Sequence, residues 1–300
     1  MSRIAYVNGQ YVPHGEAVVH IEDRGYQFAD GVYEVVNIDR GQLVDEEPHL
    51  DRLDRSLDEL RIAWPMSRRA MKLVMRQVIR RNMIKDGLIY IQVTRGVAPR
   101  DHGFPEGVPS SIVMTAKTMK SPPADQPDDK GIAVISHPDI RWSRPDIKSV
   151  ALLPNVLCKQ AAREAGAYEA LLIDPEGYVT EGSSTNAWIV TKNNEVVTRA
   201  AEGNMILNGI TRLAFIKLMA AEGLTFVERK FTVAEALEAK ECFITASTTR
   251  IKSVVSIDGK PVGNGHPGET VAKLRKLYWQ AAEAGGILPK VPTNIRETHA

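Results

Sequence analysis

Cysteine is scarce in this chain. Only Cys158 and Cys242 occur among 300 residues, far apart and in apolar contexts. That excludes a disulfide scaffold and a cysteine-built metal centre, and predicts two buried free thiols in a reducing compartment. An excess of charge of one sign is missing as well. Lysine and arginine number 38 against 37 acidic residues, a net charge of +1, so nothing electrostatic argues for nucleic acid or an anionic membrane as partner. No apolar run reaches the roughly 18 residues that a membrane-spanning helix needs. The N-terminus, M-S-R-I-A-Y-V-N-G-Q, lacks the apolar core of a signal peptide and leads directly into a strand pattern. A cytoplasmic location is expected. The 7 histidines show no metal-ligand spacing, and there is no G-x-S-x-G elbow, no P-loop and no interleaving of basic and aromatic residues. No metal site is expected.

What is present is an ordinary globular composition, 43% hydrophobic and 25% charged. A chain of this length can bury about three quarters of its unfolded surface, in one large or two medium domains. Residues 3–12 alternate around Asn8-Gly9, the strongest short hairpin signal. V-Y-E-V-V-N-I at 32–38 reads as a strand, turned by Asp39-Arg40-Gly41. Pro48 is expected to open a helix with Leu50, Leu53, Leu57 and Leu60 on one face. A second helix from Ser67 would bury Met71, Val74, Met75, Val78 and Ile79. L-I-Y-I-Q-V at 88–93 and S-I-V-M-T-A at 111–116 read as strands. S-P-P-A-D-Q-P-D-D-K at 121–130 cannot form a core element and reads as a linker.

The second half mixes strands with helices. Asn155 is expected to cap a helix ending at Gly166, and another runs from Asn208-Gly209 to Gly223. Thr232-Val-Ala-Glu235 has capping-box spacing, and Pro267 starts a last helix that stops at Gly285-Gly286. There is no internal repeat. The expectation is an α+β chain of two domains, residues 1–118 and 131–285, joined by a linker at 119–130 and followed by a loosely held tail at 286–300.

Two residues carry more chemistry than their neighbours. Lys148 lies in an extended, proline-flanked segment, R-W-S-R-P-D-I-K-S-V, with no neighbouring base. Glu181 follows a P-E-G turn at the head of a small-residue run, E-G-S-S-T-N. Either one alone reads as a surface charge or a strand end. Together they offer an amine able to form a Schiff base and a carboxylate able to face a pyridinium nitrogen, the pair that pyridoxal phosphate chemistry requires.

Around that pair, longer blocks stand in a fixed order. E-D-R-G-Y-Q-F-A-D-G-V-Y-E-V-V at 22–36, H-L-D-R-L at 49–53, D-I-K-S-V-A-L-L at 146–153, T-E-G-S-S-T-N at 180–186, N-M-I-L-N-G-I-T-R at 204–212 and A-S-T-T at 246–249 closely resemble the D-amino-acid aminotransferases. Those enzymes belong to the fold-type IV pyridoxal phosphate class, with branched-chain aminotransferases and aminodeoxychorismate lyase. The resemblance runs from about residue 4 to about residue 285, and R-G-V-A-P-R-D-H-G-F-P at 95–105 points to the D-amino-acid branch.

The resemblance implies a two-domain fold with pyridoxal 5'-phosphate between the domains. It makes Lys148 the Schiff-base lysine, which also moves a proton between the substrate Cα and C4′ of the cofactor, and Glu181 the partner of the pyridine nitrogen. It gives the phosphate to Arg52, gripping it by bidentate hydrogen bonds, to Gly209, Ile210 and Thr211 at a helix start, and to Ser247 and Thr248. Ala246 stands where the family more often has a serine, which removes one hydroxyl. Leu207 is implied to pack on the ring, and Tyr33 and Val35 to share the substrate face of one strand. Trp142 is either a pocket residue or a buried structural one. Arg100 and His102 are implied to bind the substrate α-carboxylate from a neighbouring subunit, so a homodimer is expected. The implied reaction is transfer of the amino group of a D-amino acid, D-alanine or D-glutamate, to a 2-oxo acid by way of pyridoxamine phosphate. Rivals on the same fold are an (R)-selective amine transaminase and a branched-chain L-aminotransferase, and Arg100-Asp101-His102 argues against both; a lyase like aminodeoxychorismate lyase and a non-enzymatic pyridoxal phosphate carrier are weaker rivals.

Overall fold

The computed structural model describes residues 3–119 and 130–283. Most of the expected linker, residues 120–129, and the expected tail at 286–300 lie outside the described residues, as does the Gly285-Gly286 helix stop.

The first half is organised by its hairpin. Asn8 and Gly9 both take positive φ, 43° and 96°, as a mirror-image two-residue turn demands. The turn pairs β1 (Ile4–Val7) with β2 (Gln10–Pro13), Val7 lying opposite Gln10. After α1 (Arg24–Phe28), β3 (Gly31–Asp39) and β4 (Gln42–Leu43) come two amphipathic helices, α2 (Glu46–Glu59) and α3 (Arg68–Arg81). β5 (Gly87–Thr94) and β6 (Ser111–Thr118) complete an antiparallel sheet of order β2-β1-β6-β5-β3-β4. The leucine stripe works as expected: Leu50, Leu53 and Leu57 are buried with Met71, Met75 and Val78 against Val36, Ile38, Ile89 and Ile91. Each such side chain contributes about 1.5–3 kcal/mol of burial. Leu60 and Val74 are only partly buried at the edge of that cluster. α2 begins at Glu46, so Pro48 sits inside its first turn, where a missing N–H costs nothing.

The second half forms a mixed sheet. Its elements are β7 (Ile132–Pro138), α4 (Leu153–Glu164), β8 (Glu169–Ile173), β9 (Val179–Gly182), β10 (Asn186–Val190), β11 (Val196–Thr198), α5 (Ile210–Ala221), β12 (Phe226–Glu228), α6 (Val233–Glu238), β13 (Glu241–Ala246), β14 (Arg250–Ile257), β15 (Lys260–Pro261) and α7 (Glu269–Glu283). The order is β12-β11-β10-β13-β14-β7-β8-β9, with β15 on β14. β7 lies parallel to both β8 and β14. Both faces are covered. Ile189 and Ile244 point toward Phe231 and Ala236 on the α6 side, while Trp188 and Phe243 point toward Phe215 of α5 and Leu274 of α7. That explains why every residue of β10 is buried.

Helix starts follow their chemistry. The Ser67 hydroxyl accepts from the Ala70 N–H at 3.3 Å, and Thr232 accepts from Glu235 at 3.1 Å. Asn155 is a correction. α4 is preceded by Leu152 with no side-chain cap, because Pro154 in the first turn already lacks a donor. The Asn155 amide is instead spent on the Ser183 carbonyl, 2.7 Å away.

The two sheets meet along the segment that carries Lys148. The Tyr33 N–H donates to the Lys148 carbonyl and the Val150 N–H to the Gly31 carbonyl, both at 2.9 Å, with an isolated antiparallel bridge between Val32 and Ser149. Asn37 Nδ2 of β3 donates to the Ser247 carbonyl, beyond β13. Among the described residues no helix is long and apolar enough to cross a membrane.

Candidate active site

Between the sheets lies a cavity of about 220 Å³. Its residues come from β3, α2, the 141–155 segment, β9, the start of α5 and the turn after β13. Strand alternation decides the first wall: on β3, Tyr33 and Val35 face the cavity, while Val32 and Val36 turn into the core under α2. Lys148 stands beside them, its Nζ 4.2 Å from the centroid of the Tyr33 ring, a cation–π contact. Its backbone is fixed by the pairing with β3, so the side chain is the only part free to move.

Glu181, on β9, forms a second wall and is only 4% exposed. Its carboxylate accepts from Arg141 Nη1, from Asn186 Nδ2 at 2.9 Å and from the Leu207 N–H at 3.1 Å. Burial raises the carboxyl above its ordinary pKa, and Arg141 and the Leu207 N–H pull against that without reversing it. Arg141 is in turn held by Asp139, at 2.7 Å and 2.9 Å. Burial works against the Arg141 charge, but Glu181 and Asp139 outweigh it and raise its pKa.

The third wall is built to hold an anion. Gly209 precedes α5 in extended conformation with no side-chain cap, so the first-turn N–H groups of Ile210 and Thr211 have no intrahelical partner. A Cβ on Gly209 would lie 2.2 Å from Asn186 Oδ1, so only glycine lets the helix start come this close. Ser247 and Thr248 reach the same cavity from the turn after β13, and so does the methyl group of Ala246. Arg52 reaches it from α2. Its Nε and Nη2 donate to Glu34 at 2.7 Å and 2.9 Å, and its Nη1 to the Asn208 carbonyl at 3.3 Å.

Lys148, Glu181, Arg52, Leu207, Gly209, Ile210, Thr211, Ser247, Thr248, Tyr33 and Val35 are therefore brought together around one space. Trp142 joins them at the rim, 42% exposed rather than buried. Arg100 and His102 do not line the cavity of their own chain. Both are exposed and pack around Phe28, the Arg100 guanidinium 4.6 Å and the His102 ring 5.4 Å from its centroid. Their loop is tied down by Arg24, whose Nη1 donates to the Asp101 carbonyl at 2.6 Å.

Four site residues carried no role in the sequence reading. Arg141 and Asn186 hold Glu181, and Glu34 with His49 holds Arg52. Glu34 had a visible signal, a lone carboxylate within V-Y-E-V-V on the core face of a strand. Asn186 had a weaker one, as the last residue of T-E-G-S-S-T-N. Arg141 had none, because its role depends on β7 leading past β9.

These walls suit pyridoxal phosphate. A lysine, a buried carboxylate and a helix-start anion cup face one shared cleft, and the cup's Gly209 admits nothing larger at its base. The comparisons with known proteins agree. Residues 31–257 match the model of the amino-transferase class IV family. The chain is 42% identical over 261 residues to a D-alanine aminotransferase of Bacillus licheniformis, covering 87% of this chain and 90% of that one. It is 36% identical to the D-alanine aminotransferase of Staphylococcus aureus strain MSSA476, over 94% of this chain and 99% of the relative. Among solved structures, a branched-chain aminotransferase from the thermophilic archaeon Thermoproteus uzoniensis, with norvaline, superposes with TM-score 0.83 at 22% identity, over 95% of this chain and 96% of that one. The Escherichia coli branched-chain enzyme does so at TM-score 0.83 and 22% identity, over 98% and 97%. The fold is that of the fold-type IV enzymes. The chain belongs to aminotransferase class IV and is a pyridoxal phosphate-dependent aminotransferase.

Proposed function

We propose that this aminotransferase moves the amino group of D-amino acids, D-alanine and D-glutamate foremost, to 2-oxo acids, with Lys148 at its centre. The observation that carries the reading is one cavity lined by Lys148, Tyr33, Glu181 and the α5 helix start. Pyridoxal phosphate, when bound, supplies an aldehyde for the amine and a ring that accepts electrons.

The chain's own residues do the rest. Lys148 Nζ would hold the cofactor through its aldehyde and, once freed by the substrate amine, would serve as the base and acid that moves a proton between the substrate Cα and C4′. Glu181 keeps a proton on the ring nitrogen; Arg141 and Asn186 fix its two oxygens so that it does not turn away. Gly209, Ile210, Thr211, Ser247 and Thr248 hold the phosphate with Arg52, and Leu207 packs on the ring. The methyl of Ala246 makes this cup one hydroxyl poorer. Tyr33 and Val35 face the substrate.

The D-preference is supported by the two D-alanine aminotransferase relatives and by Arg100 and His102. These two sit on their own chain's surface, where a second copy would meet them, so the reading includes a homodimer in which they cross to the neighbouring site and bind the α-carboxylate. Val18, Ile21 and Tyr26, each 75–77% exposed, leave apolar area at this edge for such a partner. The reading also takes the two sheets as two domains divided at residues 119–130. It places the enzyme in the cytoplasm, where Cys158 and Cys242, both free and buried, need no disulfide.

Mixing the holoenzyme with D-alanine, L-leucine or (R)-phenylethylamine, without an acceptor, tests the substrate. The cofactor's absorbance band is expected to disappear with D-alanine alone. Loss with L-leucine or the amine instead would hand the function to a branched-chain L-aminotransferase or an (R)-selective amine transaminase.

A further inference from the structure

Arg52 cannot by itself explain how it is aimed. Its guanidinium has five N–H donors, and three are spent inside the protein, two on Glu34 and one on the Asn208 carbonyl. Five less three leaves two for the cavity. Which two is fixed by Glu34, a side chain only 1% exposed that lies on the core face of β3. Glu34 is itself aimed. Its second oxygen takes a further hydrogen bond from His49 Nδ1 at 2.8 Å, and His49 is 4% exposed.

We infer that Glu34 and His49 are positioning residues for phosphate recognition: they fix the guanidinium of Arg52 so that its two unspent N–H groups meet the cofactor's phosphate. The inference rests on the proposed role of Arg52 as a phosphate ligand. The geometry has an electrostatic consequence. Arg52 and Glu34 form a neutral buried pair, so the cup attracts phosphate through directed N–H and O–H donors rather than through net charge. Directed donors lose their value when the donor swings, which makes the aiming residues as important as the donor.

The test is the ratio of the dissociation constants for pyridoxal and pyridoxal phosphate. Both ligands react with Lys148, so the ratio isolates the phosphate. Glu34→Gln keeps the shape but breaks the fork, and is expected to lower the ratio about tenfold or more. His49→Gln, a milder change that covers the case of an unfolded Glu34 variant, should lower it about 2- to 10-fold. A merely structural role would weaken both ligands equally and leave the ratio unchanged, which would overturn the inference. Arg52→Gln separates the two layers. If it lowers the ratio while Glu34→Gln and His49→Gln do not, only the positioning inference fails. If Arg52→Gln leaves the ratio intact, the reading of Arg52 as a phosphate ligand fails first.

Discussion

The cofactor end of the cavity and the Arg100–His102 loop make opposite use of charge. Inside, the side chains of Glu181, Arg141, Glu34 and Arg52 are nearly covered, and each is held by at least two partners. On the loop, Arg100 and His102 are exposed and rest on one aromatic ring. Interior charges of this kind are costly unless fully paired, so their geometry is fixed when the chain folds. The exposed Arg100 guanidinium keeps its hydration and, like His102, is held only by the Phe28 ring, which leaves the polar atoms of both open to a ligand or a second subunit. On the proposed roles, the chemistry falls to the buried, paired groups and substrate choice to the exposed loop.

The largest effect expected across this divide is on Lys148. On its proposed role, Lys148→Ala removes nucleophile and base together and should lower transamination by several orders of magnitude while pyridoxal phosphate still binds without a covalent bond. Unchanged single-turnover rates in the variant would break the interior half of the comparison. Next comes stability. Arg141→Ala removes the one cation shared by Glu181 and Asp139 and should cost about 3–5 kcal/mol in urea unfolding of the holoenzyme. Arg100→Ala should stay within about 0.5 kcal/mol. A similar loss in both would erase the distinction. Arg100→Ala should nonetheless raise the Michaelis constant for D-alanine far more than for (R)-phenylethylamine, and an equal effect on both would remove Arg100 from carboxylate binding.

The smallest effect is on acid stability. Arg52 and His49 hold the Glu34 carboxyl well below its ordinary 4.5, against burial that would raise it. A depressed folded-state pKa means the unfolded chain binds the proton more readily. The pair's contribution is therefore complete above about pH 4.5 and is lost as pH falls below it. Wild-type unfolding free energy should fall more steeply below that pH than that of Glu34→Gln; parallel slopes would show that the pair does not carry the acid sensitivity.

Much of this was legible in the sequence, for identifiable reasons. Asn8-Gly9, the leucine stripe of α2, Ser67 and Thr232 are local signals, and each formed the element its spacing implied, though Glu235 gives its carboxylate to Arg229, so only the Thr232 half of the capping box is made. Asn155 misled because a capping residue type next to Pro154 has two uses, and the tertiary partner, Ser183, took the side chain. In the site, residues that meet the cavity directly sit in short blocks with recognisable order. Most of the groups that hold them, Glu34, His49 and Asn186, lie in the same blocks, but nothing there marks what each one holds. Arg141 reaches Glu181, and Arg52 reaches Glu34, only after distant segments have packed, and no periodicity in the chain records that approach.

The closure of the cavity also sets an order of events during synthesis. Its walls run from Tyr33 near the start of the chain to Thr248 beyond β13, and the cup at Ile210 and Thr211 belongs to a helix whose packing partner, α7, begins at Glu269. A nascent chain on the ribosome can complete the first sheet long before any of this exists. Lys148 is therefore made well before the helix start that faces it across the cavity, and the growing chain passes through a stage in which that wall is missing.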